Sequence, residues 1–162
     1  MEIERKFLVA RVPDALGQYE CQRMEQAYIS TDPVIRIRRA GPRFILTCKG
    51  RGTLSREEFE LDLTEESYLR LLSKADGIRI AKDRYRIPCG GYVAELDVFA
   101  PPLSPLLLVE VEFPSLDAAH AFAPPDWFGP EVTDNPSYTN AAMSKHGLPK
   151  INAIRPDGPP NL

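Results

Sequence analysis

Charged residues two positions apart recur along this chain, each pair carrying a single sign. Acids stand as Glu2/Glu4, Glu58/Glu60, Glu95/Asp97 and Glu110/Glu112, and bases as Arg36/Arg38 and Lys82/Arg84. In a strand, residues i and i+2 project from one face, so each pair sets two like charges side by side. Lys6 extends the Glu2/Glu4 face, and Lys49 follows Arg36/Arg38 on the next strand. The number of such pairs is near chance, but their surroundings are distinctive. Glu95 and Asp97 alternate with Leu96 and Val98, while Glu110 and Glu112 alternate with Val109, Val111 and Phe113. The opposite face of those strands must be buried, so the carboxylates share one defined surface. An alternating strand is ordinarily two-faced with a solvated polar side, yet solvated faces mix residue types and like charges held together repel. Cations would relieve the acids, and an anion would relieve the bases. Hard divalent metals take carboxylate oxygens, and Mg²⁺ is typically held by a few carboxylates plus substrate phosphates. Acidic and basic strands lining one interior therefore point to a metal–polyphosphate site.

The elements that carry these charges are mostly strands. Period-2 alternation runs through Met1–Val9, Arg23–Thr31, Val34–Arg39, Arg43–Lys49, Leu54–Leu63, Gly77–Ile87, Tyr92–Phe99 and Leu106–Phe113. Gly41-Pro42, Gly50-Arg51-Gly52 and Gly90-Gly91 separate neighbouring strands, as antiparallel hairpins require. Thr64 followed by Glu65, Glu66, Tyr68, Leu69, Leu71 and Leu72 predicts a capped helix ending near Gly77. A second helix begins at Ser115 and stops at Pro124-Pro125, and a third, short one follows Pro136 and runs to Gly147. The expected class is mainly β with a few helices (α+β), its strands closed or nearly closed into a barrel. Residues 1–150 read as one domain, and 151–162 as a loose tail containing Pro and Gly.

Composition narrows the function classes. With 20 Lys+Arg against 23 Asp+Glu, the net charge of −3 lacks the basic excess of a duplex nucleic-acid binder. The 3 cysteines have no CxxC spacing and the 2 histidines are too few for a His-based metal cage or a Ser–His–Asp hydrolase. The opening MEIERKFLV is no signal peptide, and no apolar run could span a membrane as a helix. The expectation is a cytoplasmic protein with no nucleic-acid or membrane partner.

Taken in order, the charged motifs resemble the CYTH superfamily, the triphosphate tunnel metalloenzymes. Glu2-Ile3-Glu4-Arg5-Lys6 looks like the family's ExExK signature. The resemblance continues through Arg36-Ile37-Arg38, Thr47-Cys48-Lys49, Glu58-Phe59-Glu60, Lys82-Asp83-Arg84, Glu95-Leu96-Asp97 and Glu110-Val111-Glu112. It covers about 140 residues, including the stretch from Trp127 to Asn140. ExExK alone would be weak, whereas ordered matches on successive predicted strands are specific. Among the branches, the chain is most similar to the compact bacterial tripolyphosphatases.

That resemblance implies an eight-stranded antiparallel barrel, a tunnel whose charged lumen binds a triphosphate with Mg²⁺ or Mn²⁺ at two sites. By family position, Lys6, Arg36, Arg38, Lys49, Lys82 and Arg84 bind phosphate, with Arg56 as a further candidate. These cations would compensate a triphosphate of roughly four to five negative charges. Glu2, Glu4, Glu58, Glu60, Asp97, Glu110 and Glu112 are the expected metal-holding carboxylates, chiefly Glu2, Glu4, Glu110 and Glu112, with Glu95 open between ligand and support. Glu4, Lys49, Glu110 and Glu112 are the expected catalytic set, Lys49 facing the leaving phosphate. Tyr28 matches a tunnel-facing tyrosine but equally fits simple packing. Arg86 reads as surface, Trp127 as packing and Cys48 as core filler. Lys145 reaches phosphate only if the short helix after Pro136 plugs a tunnel end.

The implied activity is hydrolysis of inorganic tripolyphosphate to pyrophosphate and phosphate. Alternatives are hydrolysis of a nucleoside or thiamine triphosphate, ATP cyclisation as in class IV adenylyl cyclases, and a polyphosphate-binding module without turnover, because fold alone does not fix substrate. A homodimer fits the resemblance.

Overall fold

The computed structural model describes residues 1–52 and 54–150; the tail expected at 151–162 lies outside the described residues. Ten strands follow one another as β1 (Glu2–Val9), β2 (Glu20–Thr31), β3 (Val34–Ala40), β4 (Arg43–Lys49), β5 (Ser55–Arg56), β6 (Glu58–Leu63), β7 (Asp76–Cys89), β8 (Tyr92–Phe99), β9 (Leu107–Glu112) and β10 (Phe128–Glu131). Three helices interrupt them: α1 (Glu65–Leu72) after β6, α2 (Leu116–Ala121) after β9, and α3 (Asn140–His146) near the end.

The hydrogen-bonded path is β10-β1-β9-β8-β7-β2-β3-β4-β6, all neighbours antiparallel. Closure depends on β1, which changes partner along its length. Glu2 and Ile3 pair with Arg56 and Ser55 of β5, whereas Phe7 and Val9 pair with β10. Because β5 leads directly into β6, this short contact joins β1 to the far edge of the sheet and shapes it as a nearly closed barrel. The predicted strand Leu54–Leu63 is thus divided at Glu57, whose carbonyl accepts from the Gly50 amide at 2.8 Å. Its first part serves β1 and its second serves β4. Counted as one wall, β5 and β6 restore the eight expected strands. β10 is the addition, and its Phe-Gly-Pro-Glu sequence carries no alternation that could have announced it.

Side-chain caps start the helices at the expected Thr64 and Ser115, and at Thr139, which the sequence did not single out. The Thr64 hydroxyl accepts from the Ser67 amide, Ser115 from Ala118 and Thr139 from Ala142, each at 3.1 Å. α1 ends at Leu72, short of Gly77, which belongs to β7. Gly77 has φ +76°, and a Cβ there would stand 2.5 Å from the Ser144 carbonyl oxygen. Only glycine allows α3 to seat this closely, and the Ser144 hydroxyl then donates to the Ile78 carbonyl at 2.9 Å.

Apolar side chains cover the outside of the barrel in two patches. Leu96, Val109, Val111, Phe7 and Phe113 pack beneath α2 and β10, with Trp127 edge-on to Phe128. Ala27, Ile37 and Tyr68 pack beneath α1. Cys48 is half-buried on an outward face. A third cluster, including Tyr28, Ile80, Phe99, Leu108, Tyr138 and Met143, joins α3 to the barrel interior. Among the described residues, no helix is long and apolar enough to cross a membrane.

Leu96 is completely buried in the α2-side core. Replacing it by Ala should lower unfolding free energy by about 3 kcal/mol. Denaturant titration checks this, and a loss under about 1 kcal/mol would mean that the outer patch does not carry the core.

Candidate active site

Directly opposed residues of antiparallel strands share a face, so the register alone assembles the site. Across the barrel wall the facing pairs are Glu4 with Glu112, Lys6 with Glu110, Arg84 with Asp97, Tyr28 with Arg36, Lys49 with Glu58 and Glu2 with Arg56. These faces turn inward around a cavity of about 180 Å³. Glu2, Glu4, Lys6, Tyr28, Arg36, Arg38, Lys49, Arg56, Glu58, Glu60, Arg84, Glu95, Glu110 and Glu112 all line it. Thr139, Asn140 and Ala141, at the start of α3, line it too. Lys145 is exposed and borders a separate groove with Asp76 and Gly77, so α3 brings its N-terminal end to the cavity and carries Lys145 away from it. Arg86 is half-exposed and pairs with Glu95 at 3.3 Å.

Two singled-out residues do not line the cavity. The Lys82 ammonium lies 2.6 Å from Asp97 Oδ2, with both side chains sealed from solvent at 0% and 1% exposure. Arg84 grips the same carboxylate through Nε at 2.7 Å and Nη2 at 2.8 Å. Asp97 is therefore engaged by two cations and does not line the cavity. Lys82 does not line the cavity either, and its buried ammonium is held by the Asp97 carboxylate. Burial works against ionisation of Asp97, but Arg84 and Lys82 outweigh it and hold the carboxyl below its usual range.

The remaining charges fall into three groups. In the first, the Lys6 ammonium bridges Glu110 at 3.0 Å and the Tyr138 carbonyl at 3.2 Å, while Arg84 reaches Glu110 at 3.7 Å. Burial opposes the charge on Glu110, yet Lys6 and Arg84 hold it well below the ordinary carboxylate value. In the second, Lys49 sits 3.0 Å from Glu2 and 3.5 Å from Glu58, and Arg56 reaches Glu2 at 3.3 Å and Glu4 at 3.7 Å. β5 creates this group, since Arg56 faces Glu2 only where β5 pairs with β1.

The third group is incomplete. Among the described residues, no carboxylate comes within ion-pair distance of Arg36 or Arg38. Arg36 Nη2 donates to the Thr47 hydroxyl at 3.0 Å, and its buried Nε has no hydrogen-bond partner. Arg38 donates through Nε and Nη2 to the Gln26 amide oxygen, at 3.0 and 2.7 Å. Burial, with Arg36 and Arg84 nearby, pushes Arg38 down to about 9, so it stays charged at neutral pH. Gln26 was not singled out in the sequence, and Thr47 stood there only within the Thr47-Cys48-Lys49 motif with no role of its own, because a neutral residue on a strand carries no charge pattern to mark it.

On the acidic side, burial and then the Glu110 charge push Glu4 up to about 7, with Lys6 offsetting part of the rise. Burial and the neighbouring Glu2, Glu95 and Glu58 also raise Glu112. Among the described residues, no three Asp, Glu, His or Cys side chains converge into a finished metal cage. The donor set nevertheless suits a hard cation that completes its shell with water and phosphate oxygens. Glu4 and Glu112 oppose each other with charge in excess, and the buried Glu58 Oε2 accepts no hydrogen bond.

This arrangement of inward charge on an antiparallel barrel matches a known family. The CYTH domain aligns with residues 1–122. The chain belongs to the CYTH family. A relative in Nitrosomonas europaea named inorganic triphosphatase is 46% identical over 148 residues, 88% of this chain and 96% of the relative. One of the same name in Acetivibrio thermocellus is 31% identical, over 90% of this chain and 94% of the relative. The crystal structure of the inorganic triphosphatase NE1496 superposes with a TM-score of 0.67 at 42% identity, covering 89% of this chain and 94% of that one.

The state of Glu4 in this CYTH barrel sets a pH dependence. Its folded pKa of about 7 lies above the ordinary 4.5, so the folded state holds an extra proton between those values. Metal-free stability should therefore fall as pH rises through that window, and Glu4→Gln should escape the fall. The advantage of the variant should be small at pH 5 and grow towards at most about 3 kcal/mol at pH 8. Denaturant unfolding in chelator at both pH values measures it, and equal differences at the two would leave Glu4 an ordinary carboxylate.

Proposed function

We propose that this CYTH protein hydrolyses inorganic tripolyphosphate to pyrophosphate and phosphate within its barrel, with a divalent metal. One observation carries the reading: the cavity presents arginines without carboxylate partners together with carboxylates in excess. Among the described residues Arg36 and Arg38 have no carboxylate partner and can take an anion, while Glu4, with only Arg56 at 3.7 Å, opposes Glu112 and the two can share a cation. A metal-bound polyphosphate supplies both at once. The relatives named inorganic triphosphatase support the same conclusion at 46% and 31% identity.

In this reading Arg36, Arg38, Lys49, Arg56 and Lys6 hold the phosphates, and Arg84 borders the same space while anchored on Asp97. Glu2, Glu4, Glu58 and Glu112 hold the metal, with Glu60 and Glu95 at the margin. Glu110 keeps Lys6 and Arg84 in place and offers its remaining lone pairs to the metal. Mg²⁺ or Mn²⁺, at one or two positions, would neutralise phosphate charge and acidify the attacking water. Water attacks a terminal phosphorus in line, its oxygen forming the new P–O bond as the bridging P–O bond breaks. The electron pair leaves with pyrophosphate, and the cations around it, Lys49 among them, stabilise that charge. No side-chain nucleophile is required, which leaves both histidines outside the chemistry.

A second reading, a triphosphate carrying an organic group, draws on a wider neighbouring groove of about 400 Å³ that shares Val34, Lys49 and Arg56 with the cavity. Its lining includes Pro33 and Arg51 but no aromatic ring among the described residues on which a base could stack.

Phosphate release from tripolyphosphate, ATP and thiamine triphosphate, with Mg²⁺, Mn²⁺ or chelator, tests the proposal. Metal-dependent release fastest from tripolyphosphate is expected, with Glu4→Gln losing most of it and Lys49→Ala lowering kcat by at least about tenfold. Preference for ATP or thiamine triphosphate would promote the organic reading, cyclic AMP formation the cyclase, and tight binding without release a polyphosphate-binding module.

A further inference from the structure

Five interior cations, Lys6, Lys49, Arg56, Lys82 and Arg84, each lie within 4 Å of a carboxylate. Arg36 and Arg38 instead meet neutral oxygens from residues that are themselves sealed from solvent, Thr47 at 0% and Gln26 at 1% exposure. Gln26 stands on β2 opposite Arg38, and Thr47 stands on β4 opposite Arg36. The Gln26 amide is fixed in orientation. Its oxygen receives both Arg38 donors, so its nitrogen must face the other way, where it donates to the Tyr28 hydroxyl at 3.2 Å. That bond occupies a lone pair of the Tyr28 oxygen and leaves the phenolic hydrogen free to turn towards the cavity that Tyr28 lines.

A carboxylate at position 26 would fill the same volume and bind Arg38 more strongly, since charge-assisted pairs exceed neutral ones. It would also cancel the charge. We infer that Gln26 and Thr47 are positioning residues for phosphate binding: they lock the Arg38 and Arg36 guanidinium planes with neutral acceptors, so that both charges remain available to an anion. This rests on the triphosphatase reading and assigns it two residues that touch the arginines rather than the substrate. It also distinguishes this wall of the barrel from the Lys82–Arg84 wall, where carboxylates already satisfy the cations.

The isosteric Gln26→Glu variant separates holding from charge. In the absence of anion it should unfold at a higher temperature than the wild type, because Arg38 gains an ionic partner. Its thermal shift with tripolyphosphate should shrink, and KM for tripolyphosphate should rise at least about tenfold with a smaller change in kcat. Gln26→Ala and Thr47→Val should also raise KM, but with a lower unfolding temperature, since they release the arginines instead of neutralising them. A merely structural Gln26 predicts that Gln26→Glu binds tripolyphosphate as the wild type does, and that result would overturn the inference. An unfolding temperature for Gln26→Glu at or below that of the wild type would overturn it as well. If Gln26→Glu does not fold, Thr47→Val decides: unchanged calorimetric affinity and KM refute the positioning role, and weakened binding supports it. Wild-type protein that neither binds nor cleaves tripolyphosphate refutes the triphosphatase reading itself, and the inference falls with it.

Discussion

A charge inside a protein must have a partner, and that constraint organises this barrel. Most globular domains avoid the difficulty by filling their interior with apolar side chains. Here the outward faces of the strands form the apolar cores, beneath α1 on one side and beneath α2 and β10 on the other. The inward faces carry the ionic residues, beside an apolar cluster that includes Ile80, Phe99 and Leu108 and packs against α3. Removing an ion from water costs several kcal/mol even in relaxed proteins, so each inward charge needs a counterion, a dense set of hydrogen bonds or a ligand. Lys82, Asp97 and Arg84 satisfy one another completely and form the fixed ionic frame of the lumen. The pairs around Lys49 and Arg56 are longer and open to the cavity, and among the described residues no carboxylate lies within ion-pair distance of Arg36 or Arg38. Charge inside the barrel thus runs in a gradient from fully paired to open towards the cavity.

Closure of the barrel serves that electrostatic arrangement. β1 contributes Glu2, Glu4 and Lys6, and its neighbours change from β5 to β10 along its length. The two-residue contact with β5 places Arg56 against Glu2, and the Lys49–Glu58 pair enters from the adjoining β4–β6 ladder. The strand expected from Leu54 to Leu63 is divided at Glu57, its first part pairing with β1 and its second with β4. Gly77 lets α3 approach β7, and Thr139 and Asn140 at the start of the helix line the cavity.

Alternating strands made much of this legible in advance. A period of two fixes which residues share a face, so Glu110 and Glu112, or Arg36 and Arg38, could be assigned together without knowing their neighbours. Ordered charged motifs then supplied the family resemblance, which the match over residues 1–122 bears out. What sequence spacing could not reveal was pairing across strands. Asp97 is acidic and shares the face of Glu95, but its distance from Lys82 and Arg84 depends on the register of β7 with β8. Gln26 and a role for Thr47 were missed for a related reason: their significance lies in which arginine they face.

The sequence by itself determined the strand-rich architecture, the like-signed charge pairs on strand faces and the inventory of inward-facing acids and bases. These depend on local stereochemistry, which repeats every second residue. Only the tertiary structure decided which charges neutralise one another and which remain open to a ligand. Electrostatic compensation depends on separations of a few ångströms between residues tens of positions apart, and those separations exist only once the strands are in register and the barrel has closed.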